Sequence, residues 1–218
     1  MKLVELNVNE FVSAVDSKSP APGGGSVSSC MSAMGVALAR MVGHLTVDKK
    51  KFLALDLAIQ LEFKDVIASL ETIKYALLQL IDLDTEAFNM MMSAYKMPKE
   101  TEGERLIRDQ KIQEATLEGI MVPLKVATLS LSAIHQLDYI LTYGNKQTIS
   151  DLGVAVLSLS SGGIGALMNV MINLPGLTDD IARYQYDLQV KNLMEEITQT
   201  RDHLLKKVYN HLKINEEK

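Results

Sequence analysis

Residues 19–46 read SPAPGGGSVSSCMSAMGVALARMVGHLT, a broken opening followed by a long run of small and apolar residues. Pro20 and Pro22 disfavour helix just upstream, and Gly23, Gly24 and Gly25 permit backbone angles that other residues avoid. Ser26 can cap the helix that follows, so the stretch predicts a built turn and then a helix from Ser26 to about His44. Along that helix Ser28, Ser32, Gly35, Ala39 and Gly43 recur on one face with almost no side-chain bulk. Either another backbone or a flat ligand must approach it closely. The free N–H groups at its start also suit an anion. The glycine run alone is a weak pattern, lacking a preceding strand, a phosphate-loop lysine and dinucleotide spacing.

Outward from this stretch the chain keeps a helical period. Residues 8–17 predict a short helix capped by Asn7 or Asn9. From Leu57 to Tyr95, Phe63, Ile67, Leu70, Ile73, Leu77 and Leu80 step by three and four, and the same stripe continues through Asp84, Phe88 and Met91. Pro98 ends that helix, and a charged start after Thr101 opens another, which Pro123 is expected to kink or break and which stops near Gly144 and Asn145. Residues 147–174 predict an uncharged helix apart from Asp151, ended by Pro175 and Gly176. Thr178 is expected to cap the last one, which runs to about Leu212. With no alternating segment, the expectation is all-α: one domain over residues 1–218, an up-and-down bundle of about five long helices.

The composition of the 218 residues bounds the function. Hydrophobic residues make up 47%, enough for a sizeable core, and a net charge of −5 argues against a nucleic-acid partner. The lone Cys30 excludes an internal disulfide framework and fits a reducing cytoplasm. No secretory leader is read at the N-terminus. Leu152–Leu174 is long and uncharged enough to span a bilayer. Its serines, asparagines and glycines, and the absence of any second segment that looks like a span, favour instead a helix buried within a bundle or dimer.

Asp84 carries the strongest chemical signal. Its position on the apolar stripe raises its pKa and prepares it for proton exchange near neutral pH; the competing reading is a helix face turning polar at its end. Asp82 and Glu86 point away, roughly 160° around the helix. Asp151, Asn169 and Asn173 form a second constellation, able to hydrogen-bond a flat polar ligand or to bond backbone across a helix interface. The four histidines show no metal spacing. Met90, Met91 and Met92 read as core filling.

The SPAPGGGS turn, MVGHLT at 41–46, DTEAF at 84–88, MPKET at 97–101, GNKQTISD at 144–151 and NVMIN at 169–173 occur in the order seen in the cyclodeaminase/cyclohydrolase family, which this chain resembles over nearly its whole length. The resemblance implies a helical bundle that dimerises, with a pocket for a tetrahydrofolate substrate and no metal or redox cofactor. It implies closure of 5-formiminotetrahydrofolate to 5,10-methenyltetrahydrofolate with release of ammonia, or, as in the cyclohydrolase relatives, interconversion of methenyl- and 10-formyltetrahydrofolate. It places the catalytic aspartate at Asp84 and pocket residues at Gly23, Gly24, Gly25, Ser26, Asn145, Asp151, Asn169 and Asn173. Lys99 is a candidate for the glutamate tail. The animal enzyme fuses this domain to a formiminotransferase, for which this chain has no room, so a separate transferase is the implied partner. The run SSGGIGAL before NVMIN is smaller than the alanine-rich run usual there.

Overall fold

Helix boundaries follow local chemistry throughout residues 2–212, which the computed structural model describes. A box of Asn7 and Glu10 starts α1 (Val8–Val15), and one of Thr101 and Glu104 starts α5 (Glu102–Tyr143). Between them lie α2 (Gly24–Val47), the single turn α3 (Lys50–Leu53) and α4 (Leu57–Tyr95). The chain continues through α6 (Ile149–Asn173) and α7 (Asp180–His211). Among the described residues there is no strand. Two expected caps are corrected. Gly23, not Ser26, holds the cap position of α2. Asp179 caps α7 by accepting from the N–H groups of Ile181 and Ala182, while Thr178 bonds Gln113.

The five long helices alternate in direction and pack in sequence. α2, α4, α5 and α6 close a ring in which α2 touches both α4 and α6, and α7 lies outside against α5 and α6. Phe63 and Leu70 of α4, Ile134 of α5 and Leu159 of α6 pack within it, and Ile197 packs α7 onto it, all without solvent contact. The small-residue face of α2 receives another backbone. A methyl group on Gly35 would lie 2.8 Å from Leu159 Cγ and 3.0 Å from the Ala155 carbonyl, and one on Gly162 would lie 2.6 Å from the Ser28 carbonyl. Glycine here provides space rather than unusual torsion angles, since no described glycine has positive φ. This corrects the torsional expectation for Gly23–Gly25.

Pro123 does not break α5, which runs through it without interruption. A proline has no N–H for the carbonyl four residues earlier, here that of Gly119. Asn173 on α6 supplies the missing donor, its Nδ2 lying 2.8 Å from the Gly119 oxygen.

Three helices, not one, are long and apolar enough to cross a membrane by length and composition: Gly24–Val47, Glu102–Tyr143 and the segment 146–176. Their apolar windows are 44% to 56% buried in the bundle. The remainder includes Met34, Met41 and Leu45 of α2 and Val154, Leu157, Met168 and Met171 of α6, an exposed apolar side formed by two adjacent helices.

Candidate active site

α2 begins level with Asp84, so the last eleven residues of α4 run on past it for about 16 Å. α5 comes back alongside. The notch between this projecting hairpin, the start of α2 and the end of α6 is a cavity of about 550 Å³. Asp84, Phe88, Met91 and Tyr95 form one wall; Gly23–Gly25, Thr116, Gly119, Asn169 and Asn173 form the others.

Asp84 is held from one side. The Ser26 N–H donates to its Oδ2 at 2.8 Å, and the Ser26 hydroxyl lies 3.1 Å from the same oxygen. That hydroxyl also lies 2.8 Å from the Ile81 carbonyl and 3.2 Å from Thr85 Oγ1. Its single proton therefore turns towards the carboxylate when Asp84 is ionised and towards Ile81 when Asp84 is protonated. Among the described residues, Oδ2 takes all the hydrogen bonds to this carboxyl. Oδ1 lies over Gly25, where an added methyl group would overlap it. Gly25 is thus needed for close approach. Burial raises the Asp84 carboxyl above the ordinary carboxylate value, and the two Ser26 bonds pull partly against it. The result is a carboxyl in the cavity wall with one anchored oxygen, a second oxygen without a hydrogen-bond partner among the described residues, and a proton affinity raised by burial.

The asparagines form an acceptor edge. Asn173 Nδ2 donates to the carbonyls of Gly119 (2.8 Å) and Asn169 (2.9 Å), so both its hydrogens are engaged. Asn169 Nδ2 donates to the Gly165 carbonyl at 2.8 Å. Both residues bond backbone, the second of the two alternatives that their spacing left open, and both line the cavity. Their amide oxygens accept no hydrogen bond from the described residues and so remain available as acceptors.

Not every expected site residue meets Asp84. Ser26 is fully buried and bonds Asp84 without lining the cavity. Lys99 is exposed in the loop after α4, outside the lining, where Arg105 bonds its carbonyl. Asn145 and Asp151 sit at the opposite end of the bundle. The Asn145 N–H donates to Thr46 Oγ1 at 2.9 Å, and eighteen residues of α6, about 27 Å, separate Asp151 from Asn169. Within one chain these are two groups of residues. Thr116 and Gly119 were not foreseen; the available signal was Pro123, which frees the carbonyl four residues before it. Among the described residues no three His, Cys, Asp or Glu side chains converge as metal ligands.

Comparison with known proteins shows the family. A family model described as formiminotransferase-cyclodeaminase matches residues 7–195. The formimidoyltransferase-cyclodeaminase of Rattus norvegicus is 35% identical over 194 residues, 89% of this chain but 35% of that protein, so the chain spans about a third of such relatives. A methenyltetrahydrofolate cyclohydrolase of Methylorubrum extorquens is 37% identical over 172 residues, covering 79% of this chain and 81% of the relative. The crystal structure of a formiminotetrahydrofolate cyclodeaminase from Thermotoga maritima superposes with a TM-score of 0.78 at 28% identity, covering 97% of this chain and 98% of that one. Matched along most of its length in both sequence and fold, the chain belongs to the formiminotransferase-cyclodeaminase family.

Proposed function

We propose that this chain converts 5-formiminotetrahydrofolate to 5,10-methenyltetrahydrofolate and ammonia, with Asp84 moving the proton. The observation that carries the reading is the Asp84 carboxyl itself: lifted by burial, anchored through Oδ2, and set in the wall of a cavity in the size range of about 300–1,000 Å³ typical of small-molecule sites.

The reaction needs two proton movements. N10 of the folate attacks the formimino carbon on N5 and loses its proton as the new C–N bond forms. The formimino group reacts in its protonated form, so attack leaves an amino group on the bridging carbon; that nitrogen must then gain the proton taken from N10 to leave as ammonia, and the nitrogen lone pairs complete the amidinium bridge. A single carboxyl whose pKa is raised by burial serves as base in the first step and acid in the second. Oδ1 is suited to both, because Oδ2 stays on the Ser26 N–H. The acceptor oxygens of Asn169 and Asn173 complement the N–H groups on the edge of a reduced pterin, and Phe88, Met91 and Tyr95 suit its aminobenzoyl ring. We place this activity in the cytoplasm, with no cofactor beyond the folate and with a separate formiminotransferase supplying the substrate.

The Methylorubrum relative supports a second reading, in which the same carboxyl activates water for attack on the methenyl carbon. One experiment separates the two. The purified chain is given 5-formiminotetrahydrofolate while methenyl absorbance and ammonia are followed together. Matching rates above the uncatalysed reaction support the first reading. Hydrolysis of supplied methenyltetrahydrofolate without ammonia release from the formimino substrate supports the second, and neither activity removes both.

The chain is further proposed to act as a homodimer through the apolar side of α2 and α6, which leaves Met34, Met41, Leu157 and Met168 to water in a single copy. An isologous, antiparallel pairing there brings the Asn145 and Asp151 end of one copy towards the Asp84 end of the other. Met34→Glu with Met168→Glu is expected to give monomers by sedimentation; a wild-type chain that is itself monomeric contradicts the pairing.

A further inference from the structure

Arg108 lies on the α5 face that continues through Ile112 to Ala115 and Gly119, both of which line the Asp84 cavity. Its guanidinium stands 5.9 Å from the centre of the Tyr95 ring, and Tyr95 is a wall of the same cavity. Arg108 therefore sits beside the outer end of the notch, while Asp84 sits at its inner end.

This guanidinium is poorly satisfied where it stands. The side chain is 20% exposed, and its Nε is buried without a hydrogen-bond partner among the described residues. Nη2 reaches the Tyr95 carbonyl only at 3.4 Å. Nη1 lies 3.6 Å from Oδ1 of the adjacent Asp109, whose own side chain is 70% exposed, a contact too long and too wet to hold the charge firmly. An arginine carries five donors in a planar fork suited to a carboxylate. Here most of them have no firm acceptor, although the group has already lost much of its hydration.

Tyr95 is eleven residues beyond Asp84 on one straight element, about 16 Å away. That span is comparable to the distance in a reduced folate from the reacting N5 and N10 to the carboxylates of its glutamate, once a hydrogen bond is allowed at each end. With the reacting nitrogens at Asp84 Oδ1 and the aminobenzoyl ring along Phe88, Met91 and Tyr95, the glutamate emerges beside Arg108. We infer that Arg108 receives a carboxylate of the substrate's first glutamate and so sets how far along the notch the folate slides. The inference rests on the folate reading of the cavity. It assigns the first carboxylate contact to Arg108 rather than to Lys99, which is exposed in the loop after α4 and outside the cavity lining.

The test crosses a residue change with a ligand change. Tetrahydrofolate and tetrahydropteroate, which lacks the glutamate, are titrated calorimetrically into the wild-type chain, Arg108→Ala and Arg108→Lys. The wild type is expected to bind tetrahydrofolate about 10- to 100-fold more tightly than tetrahydropteroate, the worth of a charge-assisted pair. Arg108→Ala is expected to lose that preference while keeping its tetrahydropteroate affinity. Arg108→Lys, with the charge but no fork, is expected to fall between. Equal weakening of both ligands in Arg108→Ala marks a structural role and overturns the inference, as does a preference that survives the substitution. A wild type that binds both ligands without preference overturns it too, and leaves the folate reading standing. A wild type that binds neither ligand removes the folate reading and the inference with it.

Discussion

A single methyl group at Gly25 strikes the Asp84 carboxyl directly. Built on the existing backbone, it overlaps Oδ1 and lies 2.6 Å from Oδ2, so the carboxyl must swing away or α2 must lift from α4. The first response breaks the Ser26 anchor, whose N–H bond at 2.8 Å is charge-assisted and worth about 1.5–3 kcal/mol. The second overpacks a close helix contact, at about 1–3 kcal/mol. Either way the chain is expected to lose about 1–3 kcal/mol of stability and to keep its fold. The effect on turnover is larger, because a displacement of about 1 Å in a reacting group costs on the order of 100-fold. Gly25→Ala is therefore expected to lower kcat about 100-fold, with KM nearly unchanged because the carboxyl acts on bonds in motion. Gly24→Ala is the internal control. Its methyl group would lie 3.3 Å from Asn169 Nδ2, a contact relieved by a small shift, and most of the turnover should remain. Methenyl formation measured beside thermal unfolding separates the two effects. A folded Gly25→Ala with wild-type kcat and an unaltered pH profile refutes the assignment of Asp84 Oδ1 as the acting atom.

Asp84→Asn should raise stability at neutral pH while it removes activity. Burial lifts the folded-state pKa of Asp84, so its stabilising contribution is complete below the unfolded value of about 3.9 and is lost as pH rises through the folded value. The substitution should thus raise the unfolding midpoint at pH 7 and lose that advantage below about pH 4; an equal shift at both pH values contradicts the burial argument. Pro123→Ala returns an N–H to compete with Asn173 for the Gly119 carbonyl. It should stabilise α5 by up to about 3 kcal/mol in denaturant melts yet raise KM, since Asn173 loses its orientation; an unchanged KM argues against Asn173 as a substrate contact. Gly162→Ala forces a methyl group to 2.6 Å from the Ser28 carbonyl and 3.0 Å from the Ser32 nitrogen. It should cost about 1–3 kcal/mol of unfolding free energy, whereas Gly103→Ala, which meets nothing within 4 Å, should cost none.

Much of this architecture can be read along the chain because its signals are local. The stripe from Phe63 to Leu80 sets the phase of α4, and that phase separates Asp84 from Asp82. Asp82 instead accepts the Leu3 N–H at 2.5 Å, pinning the N-terminus. The small face of α2 likewise announces a close neighbour. What is not legible depends on partners distant in sequence. Ser26 looks like a cap until Asp84, 58 residues on, takes its N–H. Pro123 looks like a break until Asn173 occupies the carbonyl it leaves. A glycine needed for space has the same letter as one needed for torsion, so Gly25 reads as a turn until the carboxyl above it is seen. Asn145 and Asp151 share a motif order with the pocket residues but not, within one chain, a location. Arg108 carries no signal at all, because one arginine in a charged helical segment looks like any other.

The most direct measurement compares the wild-type chain with Asp84→Asn on 5-formiminotetrahydrofolate, following ammonia and methenyltetrahydrofolate in the same cuvette after both proteins are shown to be folded. Equal rates of the two products in the wild type, and a loss of about 100- to 10,000-fold of both in Asp84→Asn, are expected of a positioned acid–base group. A folded Asp84→Asn that forms both products at the wild-type rate contradicts the account.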